Sequence, residues 1–182
     1  MKTRPATEYA LLGAMMSGPM HGYEILRFLD LTLGSTWRVS TSQLYSVLKR
    51  LEGRGFLESS MEPQETRPSK RVFTITTKGR QAFLEWIYAP MDHVRDLRIE
   101  FLAKLFFMQR LSLEGAKQLI GAQIGSLERT YKIVEKKKEE EQDPFERLAL
   151  EFKVATLEAW LKWLDQKAAP FVAKIDTNHR RI

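Results

Sequence analysis

Between Ser40 and Arg50 the chain places hydroxyls and long cations at helical intervals, and between Arg67 and Arg71 it concentrates three cations in five residues. Drawn as an α-helix, the first stretch puts Ser42, Tyr45, Ser46 and Lys49 on one side and Leu44, Val47, Leu48 and Leu51 on the other. Gln43 and Arg50 fall at the flanks. One face anchors and the other offers donors to base edges and phosphates, as a helix in a DNA major groove requires. Ser40, Thr41 and Ser42 at its start are small enough for close approach. The chemistry is reversible recognition of a polyanion, with no bond made or broken.

Bond-making chemistry finds little to work with. There is no cysteine, which excludes disulfides, thiolate metal sites and a cysteine nucleophile. His21, His93 and His179 are scattered, and Asp92 and Asp96 fit a solvated helix face. No H-E-x-x-H, G-x-S-x-G or phosphate-loop pattern occurs. The reading is therefore not an enzyme, with no cofactor and no metal.

Those residues need a scaffold, and the turn signals supply one. Helices are predicted over Thr7 to Met16 and His21 to about Leu33, separated by Ser17-Gly18-Pro19. A third opens at Ser40 and Gln43, which have capping-box spacing, and closes near Gly53-Arg54-Gly55. Phe56 to Ser59 and Arg71 to Thr76 read as two strands joined by a long basic tip, and Thr77 as the cap of a fourth helix ending before Pro90. The third helix read alone is an ordinary amphipathic surface helix. The adjoining tip, with Arg67, Ser69, Lys70 and Arg71 placed to reach a flanking phosphate or minor groove, favours double-stranded DNA. In His21-Gly22-Tyr23 the glycine is expected to allow close helix packing and Tyr23 to supply core area.

At 182 residues with 43% hydrophobic content the chain can bury a substantial core, and its formal charge of +6 suits a polyanionic partner. From Thr36 to Arg80 there are nine Lys or Arg against four Asp or Glu, so most of the excess lies around the helix and tip just described. The apolar run Tyr9 to Met16 is too short to span a bilayer and is interrupted by Glu8 on one side and Gly18-Pro19 on the other. It reads as a core helix, with no membrane role and a cytoplasmic location.

Leu12-Gly13, Gly18-Pro19-Met20-His21-Gly22-Tyr23-Glu24, Gln43-Leu44-Tyr45, Leu48-Lys49-Arg50-Leu51-Glu52, Gly55 and Arg67-Pro68-Ser69-Lys70-Arg71, with Thr76 and Gly79, resemble the PadR-family winged-helix regulators over residues 8 to 86. Ser46 stands where members often have proline, and Thr66 where the wing often has glycine. The resemblance implies a homodimeric repressor or activator whose Tyr45, Lys49 and wing cations contact DNA.

Near Ala89-Pro90 the composition changes, which sets a winged helix-turn-helix domain at 1–89 and a helical domain at 90–182. The fold class is mainly α with a small β-hairpin. Leu97 to Phe107 resembles the start of the C-terminal domain in longer PadR-like proteins of the virulence-activator type. Leu113, Ala116, Ile120, Ile124, Leu127, Tyr131 and Val134 recur near a coiled-coil seam, and the block Lys136 to Glu141 reads as the solvated end of that helix before an Asp143 cap and Pro144.

The last long helix, Pro144 to about Ala169, is apolar on two sides: Leu148, Phe152, Ala155 and Ala159 on one, and Leu150, Val154, Leu157, Leu161 and Leu164 on the other. Two burial partners are needed, which predicts a second subunit held through Leu127, Tyr131, Leu150, Val154, Leu157, Leu161 and Leu164. Trp86, Trp160 and Trp163 could bind a small aromatic effector, or serve as core and interface packing. Asp176 to Ile182 reads as a mobile tail. The expectation is a sequence-specific, double-stranded-DNA-binding transcriptional regulator, a homodimeric repressor on a pseudo-palindromic operator. The alternative is a winged helix used for protein contact or for DNA packaging without sequence preference.

Overall fold

The structure is a computed structural model that describes residues 6–34, 38–63, 70–91 and 97–179. Its packing forms two compact units. One takes in the chain up to Tyr88 together with Arg98–Leu111, and the other takes in Ala89–Leu97 and the chain from Ser112 onward.

The first unit contains α1 (Ala6–Ala14) with a 3₁₀ turn at Met15–Ser17, β1 (Met20–His21), α2 (Gly22–Leu33), α3 (Thr41–Gly53), β2 (Leu57–Glu62), β3 (Lys70–Ile75), α4 (Thr77–Tyr88) and α5 (Leu102–Arg110). A π-helical turn at Leu97–Phe101 leads into α5. The apolar run Tyr9 to Met15 is buried, as a core helix requires. The strands form an antiparallel sheet of order β1-β3-β2, with Met20 opposite Phe73, Leu57 opposite Ile75 and Glu62 opposite Lys70. β2 runs further than the short strand read from the sequence, because the exposed residues Ser60, Met61 and Glu62 still have ladder partners on β3.

Local chemistry sets the helix starts. Ser40 accepts from the Gln43 amide, and Thr76 accepts from the Gly79 amide at 3.1 Å while donating to the Gly55 carbonyl at 2.8 Å. The α4 cap is thus Thr76, one residue before the Thr77 expected. Tyr23 is also corrected: it is 70% exposed on the outer side of α2 and adds nothing to the core, which Ile25, Leu29 and Leu33 supply on the opposite side.

Arg98–Leu111 folds with the first unit although the sequence groups it with the second half. Phe101, Ala103, Leu105, Phe107 and Met108 are buried there, and Phe107 lies so close to Gly13 that a Cβ at Gly13 would fall 2.7 Å from its ring. Only glycine permits that approach.

The second unit contains α6 (Ala116–Glu140), α7 (Pro144–Trp163), a π-helical turn (Leu164–Ala168) and α8 (Ala169–His179). Asp143 caps α7 by accepting from the Phe145 and Glu146 amides at 3.0 and 2.8 Å, and Pro144 occupies the first turn, where its missing N–H costs nothing. The π turn precedes Pro170, which has no N–H to continue the α-helical ladder, and the Ala169 amide bonds back to the Leu164 carbonyl. The helix therefore continues where the sequence suggests a tail, and α8 runs through His179. Buried Gln123 grips the chain just after Pro90, accepting from the Met91 N–H at 2.7 Å and donating to its carbonyl at 3.1 Å. Among the described residues no helix is long and apolar enough to cross a membrane.

Candidate nucleic-acid interface

Helix α3 divides as its spacing requires. Leu44, Val47, Leu48 and Leu51 are buried, which at roughly 1.5–3 kcal/mol per fully buried side chain fixes the helix firmly in the unit. Ser40, Thr41, Ser42, Gln43, Tyr45, Ser46, Lys49 and Arg50 are exposed. Tyr45 is 50% exposed. Its hydroxyl lies over the start of α2, where a Cβ at Gly22 would come within 2.7 Å of it. Gly22 does serve close packing, and what packs there is Tyr45 of the outward face of α3.

The wing is tied to α3 through its base. Ser59 donates to Glu52 Oε1 at 2.6 Å, Arg71 Nε donates to the Ser59 hydroxyl at 2.9 Å, and Arg71 Nη2 reaches both Glu52 oxygens at 2.8 and 2.7 Å. The Ser59 hydrogen bond, and then Arg71, hold the Glu52 carboxyl below the usual carboxylate range against a burial effect that would raise it. His21, at the N-terminus of α2, places Nε2 3.3 Å from Glu62 and Nδ1 3.4 Å from the Arg71 carbonyl. These contacts tie the start of α2 to the base of the wing.

Two of the cations singled out as DNA ligands are thus engaged within the protein. Arg71 is bound to Glu52 and Ser59. Arg50 donates from Nε to Glu8 Oε1 at 2.6 Å, while Arg54 donates from Nη1 to Glu8 Oε2 at 2.8 Å. Lys49 and Lys70 are exposed. Arg67 and Ser69 lie outside the described residues. Sequence reasoning missed Glu8 and Glu52 as organisers of the site, because each acts on arginines distant in the chain.

Residues 11–85 match the transcriptional regulator PadR-like family, and residues 97–169 match the virulence activator alpha C-terminal family. By these two matches the chain resembles PadR-like regulators. It is similar to the negative transcriptional regulator PadR of Bacillus subtilis (strain 168), at 31% identity over 117 residues that span 64% of each protein. It is also similar to the probable transcriptional regulator Rv1176c of Mycobacterium tuberculosis, at 29% identity over 90 residues spanning 50% of this chain and 48% of that protein. The match thus spans less than two thirds of the length of either relative. A crystal structure of Bacillus subtilis PadR in complex with operator DNA aligns at 24% identity over 90% of this chain and 97% of that one, with a TM-score of 0.49. The matched family is one of transcriptional regulators. Among the described residues no group of three His, Cys, Asp or Glu side chains could hold a metal ion.

In this PadR-like chain the tryptophans fall in different units. Trp86, in the first, is core: its ring stacks on Tyr9 at 4.9 Å and its indole N–H donates to buried Glu100 at 2.6 Å, so it is not available to line an effector site. Half-buried Trp160 and Trp163, in the second, meet edge-on at 5.6 Å.

The residues expected to hold a second subunit lie on α6, α7 and the π turn, where they make contacts within the protomer. Leu127, Val154, Leu157 and Leu164 are buried between α6, α7 and the π turn, while Leu150 and Leu161 are half-buried on the same side. Tyr131 donates from its hydroxyl to Glu158 at 3.1 Å, which raises its pKa. These residues join the helices of one protomer, because the antiparallel α6–α7 pair needs a seam of its own. The face left outward is the other one, where Phe145, Leu148 and Phe152 are 73, 60 and 76% exposed.

Proposed function

We propose that this chain is a homodimeric, sequence-specific regulator that binds double-stranded DNA and represses transcription by occupying a pseudo-palindromic operator. The observation that carries this reading is the outward face of α3. Ser42, Tyr45, Ser46 and Lys49 stand exposed above a fully buried apolar face, beside a wing that carries Lys70. The similarity of residues 11–85 to a family of transcriptional regulators supports it.

The second subunit covers the outward face of α7, since three large apolar side chains at i, i+3 and i+7 form a patch that protein surfaces seldom leave in water. Two winged helices so joined would meet successive major grooves about 34 Å apart. A small aromatic effector, or a protein partner, changes the spacing of the two recognition helices and so releases the operator. The half-buried, edge-on pair Trp160 and Trp163 is the aromatic surface that such an effector would meet. A cytoplasmic location belongs to the same reading, since the operator would have to be within reach.

The test is selection of bound duplex from a random pool, followed by affinity for selected and random duplexes across a salt series. Preference for the selected duplex by three orders of magnitude or so is expected of a specific regulator. A steep salt slope without preference would instead indicate packaging without sequence choice.

A further inference from the structure

Glu8 lies on α1, outside every surface discussed as a DNA contact, yet both of its carboxylate oxygens are taken by α3 and the Arg54 that caps its C-terminus. Arg50 Nε stands 2.6 Å from one and Arg54 Nη1 2.8 Å from the other. Glu8 is 2% exposed, whereas the two arginine side chains are partly open to water. The arrangement is therefore asymmetric. Without the arginines the carboxylate would be a buried, unpaired charge; without Glu8 the guanidinium groups could turn into solvent. Arg50 and Arg54 are also one helical turn apart, so a single carboxylate holding both restrains the rotation of α3 about its own axis. That rotation decides how Ser42, Tyr45, Ser46 and Lys49 are presented.

From this we infer that Glu8 is a positioning residue for the recognition helix: it holds Arg50 and Arg54 against α1, off the phosphate backbone, so that α3 meets DNA in one rotational setting. The inference rests on the DNA-binding reading above. It predicts less non-specific attraction than the sequence suggests, because two arginines of the basic region are spent on an internal carboxylate. Arginines are strong phosphate ligands whenever they are free to swing.

The experiment compares the native chain, Glu8→Gln and Arg50→Gln on two probes, a duplex selected by the native chain and a random duplex of equal length, across a potassium chloride series. In Glu8→Gln the amide N–H₂ cannot accept from an arginine, so at least one guanidinium is released. The slope of log K against log salt on random duplex should steepen by about 0.9 for each arginine that reaches a phosphate. Preference for the selected duplex should fall with it. In Arg50→Gln the slope should stay at the native value, because Arg50 holds no phosphate to lose. A merely structural role would change affinity without steepening the slope. A Glu8→Gln protein that unfolds cooperatively and keeps the native slope and preference would overturn the inference, as would a slope reduced by about 0.9 in Arg50→Gln. If Glu8→Gln does not fold, the Arg50→Gln slope decides alone. A native chain with no preference between the two probes would instead remove the DNA-binding reading itself.

Discussion

Helices α3 and α7 solve the same packing problem with opposite outward faces. Each buries a run of Leu and Val on one side: Leu44, Val47, Leu48 and Leu51 in α3, and Val154 and Leu157 in α7. Turned outward, α3 shows Ser42, Tyr45, Ser46 and Lys49, whereas α7 shows Phe145, Leu148 and Phe152. Amphipathicity alone therefore says only that a helix has an inside. The composition of the other face names the partner: hydroxyls and a lysine suit a hydrated polyanion, and phenylalanines suit a second apolar surface.

The largest expected effect lies on the buried side of that comparison. Leu48→Ala should cost about 2–5 kcal/mol in urea unfolding, whereas Leu148→Ala, on the outward face of α7, should stay within about 0.5 kcal/mol for the protomer. Equal costs would mean that the two faces are not what they look like. Next, Phe152→Glu should leave far-ultraviolet circular dichroism unchanged and shift micromolar protein from dimer to monomer in light scattering, a loss of at least about 2 kcal/mol if Phe152 anchors the contact. A native chain that is already monomeric at that concentration would defeat the pairing.

On the α3 side, Tyr45→Ala should cost about 1–3 kcal/mol on selected duplex and alter base preference, while Lys49→Ala should weaken all duplexes evenly and reduce the salt slope by about 0.9. Unchanged affinity in both would remove α3 from recognition. The smallest effect concerns Glu52. Its carboxyl is held low in the folded chain, so it adds stability above the ordinary carboxylate pKa of about 4.3, and that stability is lost as pH falls through the lowered folded value. Native and Glu52→Gln proteins should therefore differ by no more than about 1 kcal/mol at pH 7 and converge as the pH of a series of urea melts is lowered through the depressed carboxyl value. A gap that widens on acidification would contradict the Ser59 and Arg71 contacts.

Much of the scaffold is legible in the sequence because its signals are local. Ser40 and Asp143 announce helix starts within three residues, and the Leu and Val spacing of α3 states its buried face outright. What is not legible depends on partners far along the chain. β1 is only Met20–His21, and it is a strand because β3 offers it an edge. Arg50 and Arg71 look like free cations until Glu8 and Glu52 are brought to them across 42 and 19 positions. The two apolar sides of α7 are equally hydrophobic on a helical wheel, and only the packing of α6 decides which is covered. Trp86 looked like a candidate ligand-binding ring because nothing local shows that Tyr9 and Glu100 already surround it.

The contact between Tyr45 and Gly22 has a consequence in entropy. A tyrosine on an open helix face would sample several rotamers in the free protein, and ordering a side chain on binding costs roughly 0.5–1.5 kcal/mol. Resting against the bare backbone of Gly22, the ring is restrained before any duplex arrives. On the proposed DNA-binding reading, part of that cost would then be met during folding, and the missing methyl at position 22 would act on complex formation without touching the nucleic acid.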